Sequence, residues 1–338
     1  MTRKPLQTWI LPLVIGGLAG AALVGPVAAE VLYVASPNRV VVLDSESGKQ
    51  LGEIPLGHTV FDIVFTADGK RGYLAADDGV VEVDAQKHIA IGRIMKGPSF
   101  DLELSTDGKL LYVLGNEVLK RADGQQEALP STISTYDLVA RKVVATREVG
   151  RGTGDMALAS GRAAVTRPEA KELALVNPSE AAFAPTAVAL ADPNAGTPGF
   201  VNGLATSPDG SEVYVGMFGE PSKIEVVNAT SGSTRALAFP HEGFITGIGV
   251  SRDGKSLYVA TRNNLAVLDA TTGAERSFIA LGGAHAKMAM SPSGRYSYHS
   301  TAAYDDKGGA VTVVNLASGQ VRAIPTPGMS PLTVGVLQ

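Results

Sequence analysis

Three of the five histidines of this 338-residue chain, His58, His241 and His285, fall in short glycine- or proline-containing segments that each precede an apolar run. The segments read LGHTVFD, FPHEGF and GGAHAK, and similar segments KGPSFD, VGRGTGD and TPGMSPL carry Lys96, Arg151 and Met329. Glu242 adjoins His241. Three imidazoles and a thioether make a donor set for a soft transition metal such as copper, because neutral imidazole is the commonest metal ligand and thioether sulfur is soft. Without a metal, Lys96, Arg151, Glu242 and the histidines suit recognition of a small polar or anionic ligand. The pairs Asp77-Asp78 and Asp305-Asp306 offer carboxylate oxygens of the kind calcium takes, although acidic residues near Gly are also ordinary turn chemistry. His58, His241 and His285 precede the ends of their apolar runs by different even distances. That places them on one face at different depths, against a single ring of ligands.

Other chemistries are excluded by what is missing. With no cysteine, there is no thiol nucleophile, iron–sulfur cluster, covalent haem link or disulfide. Neither a G-x-S-x-G elbow nor an H-E-x-x-H helix occurs, and the glycine-rich GGLAG text precedes no βαβ unit. Twenty-nine basic against 33 acidic residues, with no block of one sign, argue against a nucleic-acid partner. Stability must come from burial, and 45% hydrophobic residues against 18% charged are enough for a large core.

The elements that must position these residues announce themselves as a repeat. Gly69, Gly108, Gly210, Gly254 and Gly294 each stand four residues before a tyrosine (Tyr73, Tyr112, Tyr214, Tyr258, Tyr298), in turns reading TADGK, STDGK, SPDGS, SRDGK and SPSGR. Such a turn joins two strands, since Gly supplies the positive φ that tight turns demand. The recurring tyrosines read as packing residues, and His299 beside Tyr298 as a satisfied strand histidine. A second mark, Asp or Asn closing an apolar strand, appears seven times: Asp44, Asp84, Asp137, Asn177, Asn228, Asp269 and Asn315. The spacing of 40 to 53 residues matches a four-stranded propeller blade with insertions, which fall at Gly115 to Ser131, Ala191 to Gly199 and Thr301 to Gly309. The expectation is an all-β, seven-bladed β-propeller of four-stranded blades. In that topology the loops from each outer strand to the next inner strand share one face with the second-to-third strand loops, and ligands should meet that face.

The two ends complete the ring. Arg3 and Lys4 precede an apolar run from Ile10 to Val24 that ends in Pro26, Val27, Ala28 and Ala29, the layout of a signal peptide cleaved between Ala29 and Glu30. Residues 1–29 are thus expected to be removed, leaving a periplasmic or secreted domain of residues 30–338 without a stable membrane span. That domain opens on VLYVA, a second-strand pattern with no first strand before it, while SPLTVGVLQ is left over at the far end. The tail is predicted to complete blade 1 as its innermost strand, leaving no open seam.

With YVAS, YVLG, YVGM and YVAT beside DGK-type turns, nearly the whole expected mature chain resembles the YVTN-repeat and quinohaemoprotein amine dehydrogenase β-subunit group of propellers. The exact Tyr-Val-Thr-Asn string does not occur. The resemblance implies a propeller that carries no cofactor of its own, with quinone and haem on partner chains; the only tryptophan, Trp9, lies in the leader. It points to a non-catalytic binding or scaffold protein with redox subunits or a cytochrome as periplasmic partners. The competing expectation is a stand-alone hydrolase or lyase of lactonase type with its site over the channel.

Overall fold

The computed structural model describes residues 29–337 apart from 117, 121–125, 153, 168–169, 180–184, 191–200, 218–221 and 302–307. All of the expected leader but Ala29, and most of the two later insertions, lie outside the described residues. Seven four-stranded antiparallel sheets follow one another along the chain, each running from an inner to an outer strand. The inner strands of blades 2 to 7 are Val60–Phe65, Ser99–Leu104, Met156–Ala159, Val201–Thr206, Ile245–Val250 and His285–Met290. The first insertion holds a small extra hairpin, Val118–Lys120 with Gln126–Ala128. Among the described residues no helix is long and apolar enough to cross a membrane.

The ring closes as expected. Thr333–Leu337 pairs antiparallel with Val31–Ser36, Tyr33 opposite Gly335, and so supplies blade 1 with its inner strand. The core lies between blades, because both faces of each sheet meet a neighbour. The second and third strands, such as VLYVAS and RVVVLD, are accordingly buried almost throughout, while outer strands such as IAIGRIMK stay largely exposed. Tyr73, Tyr112, Tyr214, Tyr258 and Tyr298 are all buried, as is a sixth copy, Tyr33.

The seven Asp/Asn marks have a common cause. The side-chain oxygen of each accepts backbone N–H groups two or three residues on, as from Glu46 and Ser47 to Asp44 (3.1 and 2.7 Å) or Ala317 and Ser318 to Asn315 (3.1 and 3.0 Å). A short acceptor is needed there because the turn to the outer strand leaves those donors without a ladder partner.

The DG turns are built alike. In blades 2, 3, 5 and 6 a hydroxyl donates to the turn aspartate: Thr66 to Asp68, Ser105 to Asp107, Ser207 to Asp209 and Ser251 to Asp253, at 2.6 to 2.7 Å. Blade 7 has Ser293 at the aspartate position, and Glu30 fills the gap from the other end of the chain. Ser291 Oγ donates to Glu30 Oε1, the Ser293 N–H to the same oxygen (3.2 Å), and Tyr298 Oη to Oε2 (2.7 Å). Glu30 is 3% exposed and clasps blade 7 to the start of blade 1. Blade 4 departs furthest: Ser160 and Gly161, both at positive φ, make a two-residue turn with no aspartate and no tyrosine.

Candidate functional site in the central channel

The inner strands surround a cavity of about 990 Å³. Its chemistry comes from one register position, the residue two before the partner of the blade tyrosine or its equivalent. That position holds Asp62, Asp101 and Asp155 in blades 2, 3 and 4, Gly203 and Gly247 in blades 5 and 6, Lys287 in blade 7 and Thr333 in blade 1. Glu103 adds a fourth carboxyl two residues beyond Asp101. Three consecutive blades thus form an acidic arc, and one lysine faces it.

Each aspartate also stitches its blade to the next. Asp62 accepts the Leu102 N–H (3.1 Å), Asp101 the Met156 N–H (2.7 Å) and Asp155 the Leu204 N–H (3.1 Å). Glycines do the opposite work across the ring, letting inner strands approach. A Cβ on Gly247 would lie 2.7 Å from the Met288 Cβ, and one on Gly203 3.2 Å from the Gly247 Cα.

Burial, reinforced by the charges of Asp62 and Asp155, raises the Asp101 carboxyl well above the usual range, and Asp101 shares a hydrogen bond with Asp155. That bond needs a proton, which the pair shares. Glu103 is pushed up to about 8 by burial and then by Asp62 and Asp155, against the Leu158 N–H that favours its anion. Burial works to lower Lys287, but Asp62, Asp155 and Asp101 together outweigh it and raise its ammonium. The lysine Nζ also donates to the Phe61 carbonyl (3.1 Å). An ammonium kept charged by these carboxyls is no nucleophile, so imine chemistry at Lys287 is disfavoured. Phe65, Met288, Met290 and Val336 complete the cavity with apolar surface.

A stability test follows from Glu103. Between about 4.5 and about 8 the folded chain keeps this proton and the unfolded chain releases it, so stability falls as pH rises through that window. Glu103→Gln removes this contribution. The melting temperature of the variant relative to the native chain should climb steadily from pH 4.5 to 8 and then level off. A gap independent of pH would contradict the assignment.

The loop residues do not assemble into one constellation. His58 lies between Asp77 and Asp78, with Nδ1 3.0 Å from Asp77 Oδ1 and Nε2 2.9 Å from Asp78 Oδ2, and Arg93 binds the same Asp78 oxygen. This is the only group of three potential metal-ligating His, Asp or Glu side chains among the described residues. It joins an outer-to-inner loop to a second-to-third strand loop, so those loops do share a face. His241 pairs with Glu275 and stacks on Phe278 (centroids 3.9 Å apart), against the outer strand of blade 6. His285 is buried beside His299, and Met329 is buried in the core between blades 7 and 1. Lys96, Arg151 and Glu242 are exposed. The four residues considered as copper ligands therefore have separate environments, and Asp77 and Asp78 are engaged by His58 and Arg93. Asp305 and Asp306 lie outside the described residues.

The channel set was missed by starting from histidines. Its signal was present: an acidic residue ends each of the segments VFD, SFD and TGD, and Lys287 ends AHAK.

No protein-family model matches the chain, and no curated protein matches it in sequence. Solved structures do. A functionally unknown protein from Desulfotomaculum acetoxidans aligns over 92% of this chain and 99% of its own, at 15% identity and a TM-score of 0.71. Apo AztD from Citrobacter koseri aligns over 92% and 98%, at 14% identity and 0.61. The dihydro-heme d1 dehydrogenase NirN, in complex with DHE, aligns over 91% and 74%, at 18% identity and 0.59. At such identities the likeness speaks to fold alone, and with the seven sheets and their closure it makes the chain a seven-bladed β-propeller.

Proposed function

We propose that this chain is an exported, non-catalytic binding propeller that holds a small organic cation in its central channel. The observation that carries the reading is the acidic arc of Asp62, Asp101, Glu103 and Asp155 set against a single lysine. A cation entering the arc takes the place of the protons held there, while its apolar body meets Phe65, Met288 and Met290. Export to the periplasm is part of the proposal and rests on the leader-like first 29 residues.

The test is calorimetric titration with a diamine, a quaternary ammonium and size-matched neutral and anionic compounds. Cations should bind, more tightly as pH rises towards 8, because Glu103 must release its proton to receive them. Asp62→Asn and Asp155→Asn should each weaken binding by about tenfold, the loss of roughly one charge-assisted contact. Preference for an anion, or unchanged affinity in both variants, overturns the cation site. Lactone hydrolysis by the native chain that disappears in Glu103→Gln overturns the non-catalytic reading.

A second observation supports the scaffold role that the amine dehydrogenase resemblance suggests. Ile89 and Ile91 on blade 2 and Val139, Val143 and Val144 on blade 3 are 44% to 77% exposed on neighbouring outer edges. Exposed apolar side chains of this kind suit a partner chain. Gentle purification from the periplasm should bring a quinone- or haem-bearing protein with the native chain and not with an Ile91→Lys, Val144→Lys variant.

A further inference from the structure

Two imidazole nitrogens in blade 7 are buried with nothing to bond. His285 is 3% exposed and His299 fully buried, with ring centroids 5.6 Å apart and planes at 68°. One nitrogen of each is occupied: His285 Nδ1 meets Thr301 Oγ1 at 2.9 Å, and His299 Nε2 meets Ser297 Oγ at 2.9 Å. The other two, His285 Nε2 and His299 Nδ1, have no hydrogen-bond partner. A buried polar atom left unpaired is uncommon in a folded protein, and two on rings in edge contact call for a common explanation.

We propose that His285 Nε2 and His299 Nδ1 form a two-coordinate site for cuprous ion. Cu(I) is soft, binds imidazole and accepts two ligands, whereas zinc asks for four and calcium for oxygen. Thr301 and Ser297 hold the two rings in place by their other nitrogens, the orienting role such partners have around metal-bound histidines.

The loop that leads into the inner strand of blade 7 borders His285. Gly283 has no side chain there, and a Cβ on it would stand 3.8 Å from His285 Nε2. The residue is not at positive φ, so its lack of a side chain is open to test without backbone strain. The site is separate from the acidic channel and from His58 and His241.

The test uses the full native chain, loaded anaerobically with Cu(I) and passed over a desalting column. About one copper per chain should be retained, zinc should not be, and X-ray absorption should report imidazole nitrogens only. His285→Gln and His299→Gln should each lose the metal, while His58→Ala with His241→Ala keeps it. If burial makes the glutamine variants unfold, Gly283→Val decides instead. It leaves both imidazoles in place and should slow copper uptake at least tenfold. Failure of the native chain to retain copper, full retention in a folded His285→Gln or His299→Gln variant, unchanged uptake by Gly283→Val, or a sulfur-dominated spectrum overturns the site.

Discussion

Glu30→Ala should lower the melting temperature by about 6 °C, and Ser293→Asp in the same chain should restore most of it. The carboxylate sits 3% exposed among Ser291, Ser293 and Tyr298, and alanine would leave the Tyr298 hydroxyl without an acceptor, while Ser291 Oγ keeps Ser293 Oγ and the Ser293 N–H keeps Ser291 Oγ (3.1 Å) as their remaining partners. Stranding a buried donor costs about 1 to 3 kcal/mol, and the Tyr298 hydroxyl together with the charge-assisted bonds lost by Ser291 and Ser293 brings the sum to roughly 3 kcal/mol. In a domain of this size that amounts to about 2 °C per kcal/mol. The restoring substitution comes from the other blades, where Asp68, Asp107, Asp209 and Asp253 take the hydroxyl bond from within their own turns. Ser293→Asp alone should instead destabilise, because it places two carboxylates on one hydroxyl. Thermal melts of the four chains at pH 7 make the cycle. Additive losses in the double variant would show that Glu30 is not standing in for the missing aspartate.

That substitution of one end of the chain for the other marks where sequence reading stops. The blade count was legible because each Asp/Asn mark is a local device, an acceptor serving donors two and three residues away. Closure was legible because a strand pattern without a partner at one end matched a surplus strand at the other. The Glu30 clasp joins residues 261 apart in sequence, and nothing near Ser293 announces that its carboxylate comes from elsewhere. The channel lies between these cases. Asp62, Asp101, Asp155 and Lys287 stand at one register position, so the repeat contained the information. Their role as a facing set emerges only when the blades are bent into a ring and four carboxyls compete for protons in one cavity. The rim histidines fail for the converse reason: shared loop type implies a shared face, but His241 and His285 turn towards their own blades.

A chain ending at Leu332 should lose cooperative folding altogether. The strand removed, Thr333–Leu337, is the only inner partner of Val31–Ser36, and its loss leaves five ladder positions of blade 1 unpaired at the channel edge. Val334 and Leu337, 7% and 8% exposed, come out of the two cores that flank blade 1. Each such side chain is worth about 2 kcal/mol, and together with the orphaned backbone groups the loss reaches a large share of the 5 to 15 kcal/mol that holds a typical domain. The freed edge also invites pairing between chains. The truncated protein should show a broad, non-cooperative melt and concentration-dependent association, and a synthetic peptide of residues 330–338 should restore a single transition by adding the missing strand. A graded version keeps the strand and spoils its fit: a Cβ on Gly335 would stand 2.5 Å from the Ile63 Cγ2, so Gly335→Val should cost about 1 to 3 kcal/mol by overpacking blades 1 and 2. A truncated chain that melts cooperatively within a few degrees of the full one would mean that the seven blades hold each other without the strand that joins the ends.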